Sequence, residues 1–141
     1  GVSRVKLLEE FRNTPNAVLF ATKSFWEGVD VQGETLSLVV IDKIPFENPK
    51  DLVYSSKCER IDNKYGGRKS FIYYSIPDMC IKLKQGVGRL IRSKDDKGVI
   101  AILDSRINFK PYGKTVIESL PDSYRTQTLD KVKNFFDRIN G

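Results

Sequence analysis

The 141-residue sequence has no histidine, two cysteines, one methionine and one tryptophan. With no imidazole, and with Cys58 and Cys80 well separated, a zinc or other metal constellation cannot be assembled from soft ligands. The two thiols read as reduced side chains of a cytosolic protein. No apolar run approaches the roughly 20 residues needed to cross a bilayer, and the N-terminus lacks the charged-then-apolar layout of a secretory signal. These absences lead to the expectation of a cytoplasmic protein with no membrane partner. There is no internal repeat and no low-complexity tract. The chain opens on Gly1, which points to a fragment or a tag scar.

What is present fits one ordinary globular domain with a core of its own. The formal net charge of +6 favours an acidic partner such as nucleic acid, although solvated lysine produces the same balance. Val5, Leu8 and Phe11 recur at three-residue steps among charged neighbours and predict a surface helix that ends near Pro15. The run 17–22 (Ala-Val-Leu-Phe-Ala-Thr) suits a strand buried on both faces of a parallel sheet, as do Leu36–Ile41 and Gly98–Asp104. A helix is expected from about Lys50 to Asp62, and Gly66-Gly67 marks a turn in a polar surface loop. Thr115–Leu120 and Leu129–Ile139 predict further helices, the second amphipathic through Val132, Phe135, Phe136 and Ile139. Strands alternating with helices imply an α/β fold with a parallel sheet flanked by helices.

The most informative stretch is Pro77–Arg92, which reads as one helix with Pro77 in its first turn. At about 100° per residue, Gly88, Arg89 and Arg92 fall within roughly 60° of Gln85. Ile76, Met79, Cys80, Leu83, Val87, Leu90 and Ile91 fall on the opposite side, with Ile81 the exception. One face is therefore core, and the other offers an amide and two guanidinium groups at fixed spacing. Glycine inside a helix costs about 1 kcal/mol relative to alanine, so Gly86 and Gly88 in one turn call for close approach by another backbone or a ligand. Arginine suits a phosphate because its planar fork binds oxygens in pairs and stays charged. Two arginines at this spacing also describe a plain solvated helix face.

Gln85-Gly86-Val87-Gly88-Arg89-Leu90-Ile91-Arg92 resembles the Gln-x-x-Gly-Arg-x-x-Arg pattern known as motif VI of superfamily 2 helicases. Ser24-Phe25-Trp26-Glu27-Gly28-Val29-Asp30 is similar to motif V of their XPD/DinG branch, and Asp104-Ser105-Arg106 to the Asp-x-Arg element after the next strand. The three elements occur in the family's order and span most of residues 1–110, which is more specific than any one of them.

The resemblance implies that residues 1–141 are the second RecA-like lobe of an ATP-dependent DNA helicase, truncated on its N-terminal side. It implies single-stranded DNA and a first RecA-like lobe as partners, and ATP with magnesium as cofactor, bound mainly by that other lobe. Arg92 is then the expected arginine finger, with Arg89 catalytic beside it. Gln85, Gly88, Gly28 and Asp30 are expected on the nucleotide side, and Thr22, Ser24 and Trp26 on the DNA. The plainer readings are that Trp26 and Phe25 are core or lobe-interface aromatics and that Asp30 caps a turn. No Gly-x-x-x-x-Gly-Lys-Ser/Thr loop occurs in the sequence, so these residues alone are expected to be inactive. Whether the parent protein carries an iron–sulphur cluster is not written in this stretch. The alternative expectation is a nucleic-acid-binding or nuclease-coupled helicase-like protein that does not unwind.

Overall fold

The computed structural model describes residues 3–22, 36–88 and 97–140. Helix α1 runs Arg4–Asn13, and the Ser3 side chain caps it by accepting a hydrogen bond from the Lys6 amide at 3.2 Å. Strand β1, Leu38–Ile41, leads into the loop 42–51, whose last residue, Asp51, caps helix α2 (Leu52–Tyr65) by accepting from the Tyr54 amide at 2.8 Å. A π-helical segment, Phe71–Ser75, runs directly into helix α3, Ile76–Val87. Strand β2 spans Val99–Ile102 and is followed by helices α4 (Arg106–Phe109), α5 (Gly113–Glu118) and α6 (Leu129–Asn140).

β1 and β2 pair in parallel, with Leu38 opposite Val99 and Ile41 opposite Ile102. The ladder is extended by the Val99 amide donating to the Ser37 carbonyl and the Leu103 amide to the Ile41 carbonyl. Strands joined through helices in parallel register are an α/β arrangement, as the alternating pattern predicts. Behind this pair lies the main core, built from Ile41, Ile44, Met79, Cys80, Leu83, Val87, Tyr112 and Val116. A separate small cluster gathers Phe11, Leu19 and Leu36 around buried Leu8. Among the described residues no helix is long and apolar enough to cross a membrane.

Three expectations are corrected. Residues 17–22 form no strand: Val18 and Phe20 are 77% and 92% exposed, while Leu19 packs towards α1. A strand exists only where a neighbour accepts and donates its backbone hydrogen bonds, and among the described residues the sheet consists of β1 and β2. β1 and β2 are shorter than the apolar runs that contain them and are not buried on both faces. Val39 and Ile41 turn to the core, whereas Leu38 and Val40 are exposed. An apolar run reports what side chains tolerate, while covering both faces needs a layer on each side.

The third correction concerns what precedes Pro77, which lies in the first turn of α3 as expected but not at the start of the helical backbone. The helical backbone already runs from Lys69, and the Ile76 amide donates to the Phe71 carbonyl five residues back. Proline has no amide to donate and crowds the carbonyl four residues earlier. A wider turn just upstream accommodates both, so the chain continues as helix through Pro77. α2 also runs a turn beyond its expected end, to Gly66, whose φ of 75° stops it. The short helix α4 was not foreseen, and α5 lies two residues earlier than Thr115–Leu120.

Candidate functional site

Helix α3 divides as its sequence period predicts. Met79, Leu83 and Val87, four residues apart, have no exposed surface, and Cys80 and Gly86 are buried beside them. Asp78, Ile81 and Lys82 lie within about 60° of Gln85 on the other side. Gln85 is exposed there, and Ile81, the apolar exception, is 59% exposed. The amide of Gln85 is thus held on a rigid element whose orientation is fixed by the core stripe behind it.

The same face is tied to the loop after β1. Lys82 donates to Asp78 one turn earlier at 2.6 Å and also to Glu47 of the loop. Burial works against the ammonium, but its hydrogen bonds to Asp78 and Glu47 outweigh that effect and hold the Lys82 pKa above its ordinary value. Lys82 therefore stays charged and joins loop 42–51 to α3.

Gly88 follows on the next turn, partly buried, with its amide donating to the Lys84 carbonyl at 2.8 Å. A Cβ added there would meet first the Lys84 carbonyl oxygen at 3.1 Å and the Gln85 carbonyl oxygen at 3.6 Å. Among the described residues, the tightness at Gly88 comes from its own helix. Thr22 is exposed at the end of the segment 17–22. Arg89, Arg92, Ser24, Trp26, Gly28 and Asp30 lie outside the described residues. Among the described residues no group of three or more histidine, cysteine, aspartate or glutamate side chains gathers to hold a metal.

The Asp-x-Arg element is a clasp. Asp104 is buried at the end of β2 and accepts from the Ile44 amide at 3.1 Å and the Arg106 amide at 3.1 Å. The Arg106 guanidinium closes on it, Nε to Oδ1 at 2.9 Å and Nη2 to Oδ2 at 2.6 Å. The paired hydrogen bonds from Arg106 outweigh burial and, with the backbone bonds, lower the Asp104 pKa from 3.8 to about 2. Arg106 also lies over the Phe46 ring, 5.9 Å from its centroid. The reach to Ile44 escaped the sequence reading, because a contact between residues sixty positions apart has no local signature.

Residues 1–123 match the helicase C-terminal domain family, and the chain belongs to it. It is 48% identical over 133 residues to the ATP-dependent DNA helicase YoaA of Escherichia coli, covering 94% of this chain and 21% of that protein. The YoaA of Haemophilus influenzae is 49% identical over 94% of this chain and 20% of its own length. The protein named 3'-5' exonuclease DinG in Bacillus subtilis is 38% identical over 92% of this chain and 14% of its own length. The chain thus spans about a fifth or less of the curated relatives it matches.

Proposed function

We propose that residues 1–141 are part of the second RecA-like lobe of an ATP-dependent DNA motor, and that the exposed face of α3 closes an ATP site against a first lobe. The observation that carries this reading is the division of α3. The family's Gln-x-x-Gly-Arg-x-x-Arg pattern begins at Gln85, an exposed amide backed by wholly buried Leu83 and Val87. An amide so placed fits a role as hydrogen-bond donor to a terminal phosphate. Magnesium and the phosphate cradle are assigned to the other lobe, since the sequence has no Gly-x-x-x-x-Gly-Lys-Ser/Thr loop.

In this reading Arg92 is the arginine finger, with Arg89 and Gln85 beside the γ-phosphate. The finger stabilises charge that spreads over the departing phosphoryl group, a contribution of about 10³–10⁵ in rate in related systems. Gly28 and Asp30 connect the nucleotide to the nucleic acid, and Thr22, Ser24 and Trp26 contact single-stranded DNA. Ligands of open α/β sheets gather beyond the carboxyl ends of the strands, which is where loop 42–51 leaves β1.

The test is Arg92→Ala in the intact protein. DNA-stimulated ATP turnover should fall by about a thousandfold or more, with binding to single-stranded DNA retained. Arg92→Lys should recover little, because an ammonium lacks the planar fork. Turnover at the unaltered rate would remove the assignment. A nuclease-coupled protein is the second reading, favoured by the name of the Bacillus subtilis relative. DNA degradation without ATP-driven strand separation would select it.

A further inference from the structure

α2 and the π-helical segment form a surface that the ATP-site reading does not use. On the α2 wheel, Lys57, Arg60 and Lys64 fall within about 60° of one another, while Glu59 lies on the far side. The turn that follows adds Arg68 and Lys69. Over residues 57–69 five cations therefore stand against two carboxylates, Glu59 and Asp62. Asp62 is already committed, accepting from the Ser70 amide at 2.7 Å and the Ser70 hydroxyl at 2.9 Å. Among the described residues, no ion pair involves Lys57, Arg60, Lys64, Arg68 or Lys69.

Aromatic rings line the edge of this basic stripe. Tyr65 and Tyr73 meet edge to face at 5.4 Å, yet remain 54% and 57% exposed. The Lys64 ammonium sits 4.9 Å from the Tyr65 ring centre, and that of Lys57 5.6 Å from the ring of Tyr74. Exposed π-faces beside unneutralised cations are what a flexible polyanion with flat bases requires. A neutral protein surface would satisfy the rings but leave the cations unmatched.

We propose that the α2–π surface binds single-stranded nucleic acid, with Tyr65 and Tyr73 as stacking platforms and Lys57, Arg60, Lys64, Arg68 and Lys69 along the phosphates. The proposal rests on the nucleic-acid motor reading and adds further contacting residues to those proposed within 22–30. Gly66 and Gly67, with φ of 75° and 63°, set the turn that places Arg68 and Lys69 beside the end of α2.

Binding of fluorescein-labelled oligo(dT) to the intact protein, measured across a salt series, tests it. Replacing both Tyr65 and Tyr73 by alanine should weaken binding by about tenfold or more, while phenylalanine at both should preserve it. Lys64→Gln, Arg68→Gln and Lys69→Gln together should reduce the salt slope by about 2. Oligonucleotide carrying 5-bromouracil should photocrosslink to Tyr65 or Tyr73 in the unaltered protein, a readout independent of whether the variants fold. Normal affinity and slope in all variants, or no crosslink within residues 62–75, would overturn the surface while leaving the motor reading intact. Failure of the unaltered protein to bind oligo(dT) at all would overturn both. Retained oligo(dT) affinity with loss of a protein partner in the tyrosine variants would reassign the surface to protein recognition.

Discussion

Asp104 and Arg106 stand two residues apart, and their spacing lets one guanidinium fork close on one buried carboxylate. The Asp-x-Arg element was legible in the sequence, whereas the pairing of its two side chains was not. The carboxylate also receives the Ile44 amide, so the ends of both strands converge on one side chain. Because its pKa is lowered from 3.8 to about 2 on folding, its contribution is fully present above pH 3.8 and is lost as pH falls towards 2. The shift corresponds to about 2 kcal/mol. Asp104→Asn should lower stability by about that amount near neutral pH and flatten its loss between pH 4 and 2. Urea denaturation at several pH values would check this, and an unchanged acid limb would mean that another carboxylate governs it.

At the scale of elements, local period and long-range contact separate clearly. The two faces of α3 were legible because a 3.6-residue repeat records which side is buried, even within a single helix. Its continuity with the π-helical segment was not, since proline usually announces a helix start. Gly113 was likewise overlooked. It opens α5 where the chain crosses α4, and a Cβ there would overlap the Ile107 carbonyl oxygen and lie 2.8 Å from the Ile107 carbonyl carbon. Backbone cannot move aside as a flexible side chain can. Gly113→Ala should therefore cost about 1–3 kcal/mol by forcing α4 and α5 apart. A thermal melt indistinguishable from that of the unaltered chain would show that the crossing relaxes freely.

For the molecule as a whole, the decisive feature is that residues from β1, α3, α5 and the loops between them share one core. Leu83 sits in it without exposed surface, so Leu83→Ala should lose about 2–5 kcal/mol. Near-UV circular dichroism followed through denaturation would report the loss, and a change below about 1 kcal/mol would indicate a core able to collapse around the gap. By itself the sequence determined the α/β alternation, the parallel character of the strands, the buried stripe of α3 and the exposure of Gln85. Each of these is carried by periodicity or by a motif of neighbouring residues. Tertiary structure alone decided that 17–22 is not a strand, that Leu38 and Val40 of β1 stay exposed, that Asp104 holds Ile44 and that Tyr65 meets Tyr73. Such outcomes depend on which distant groups supply hydrogen bonds and cover, and short-range pattern holds no record of them.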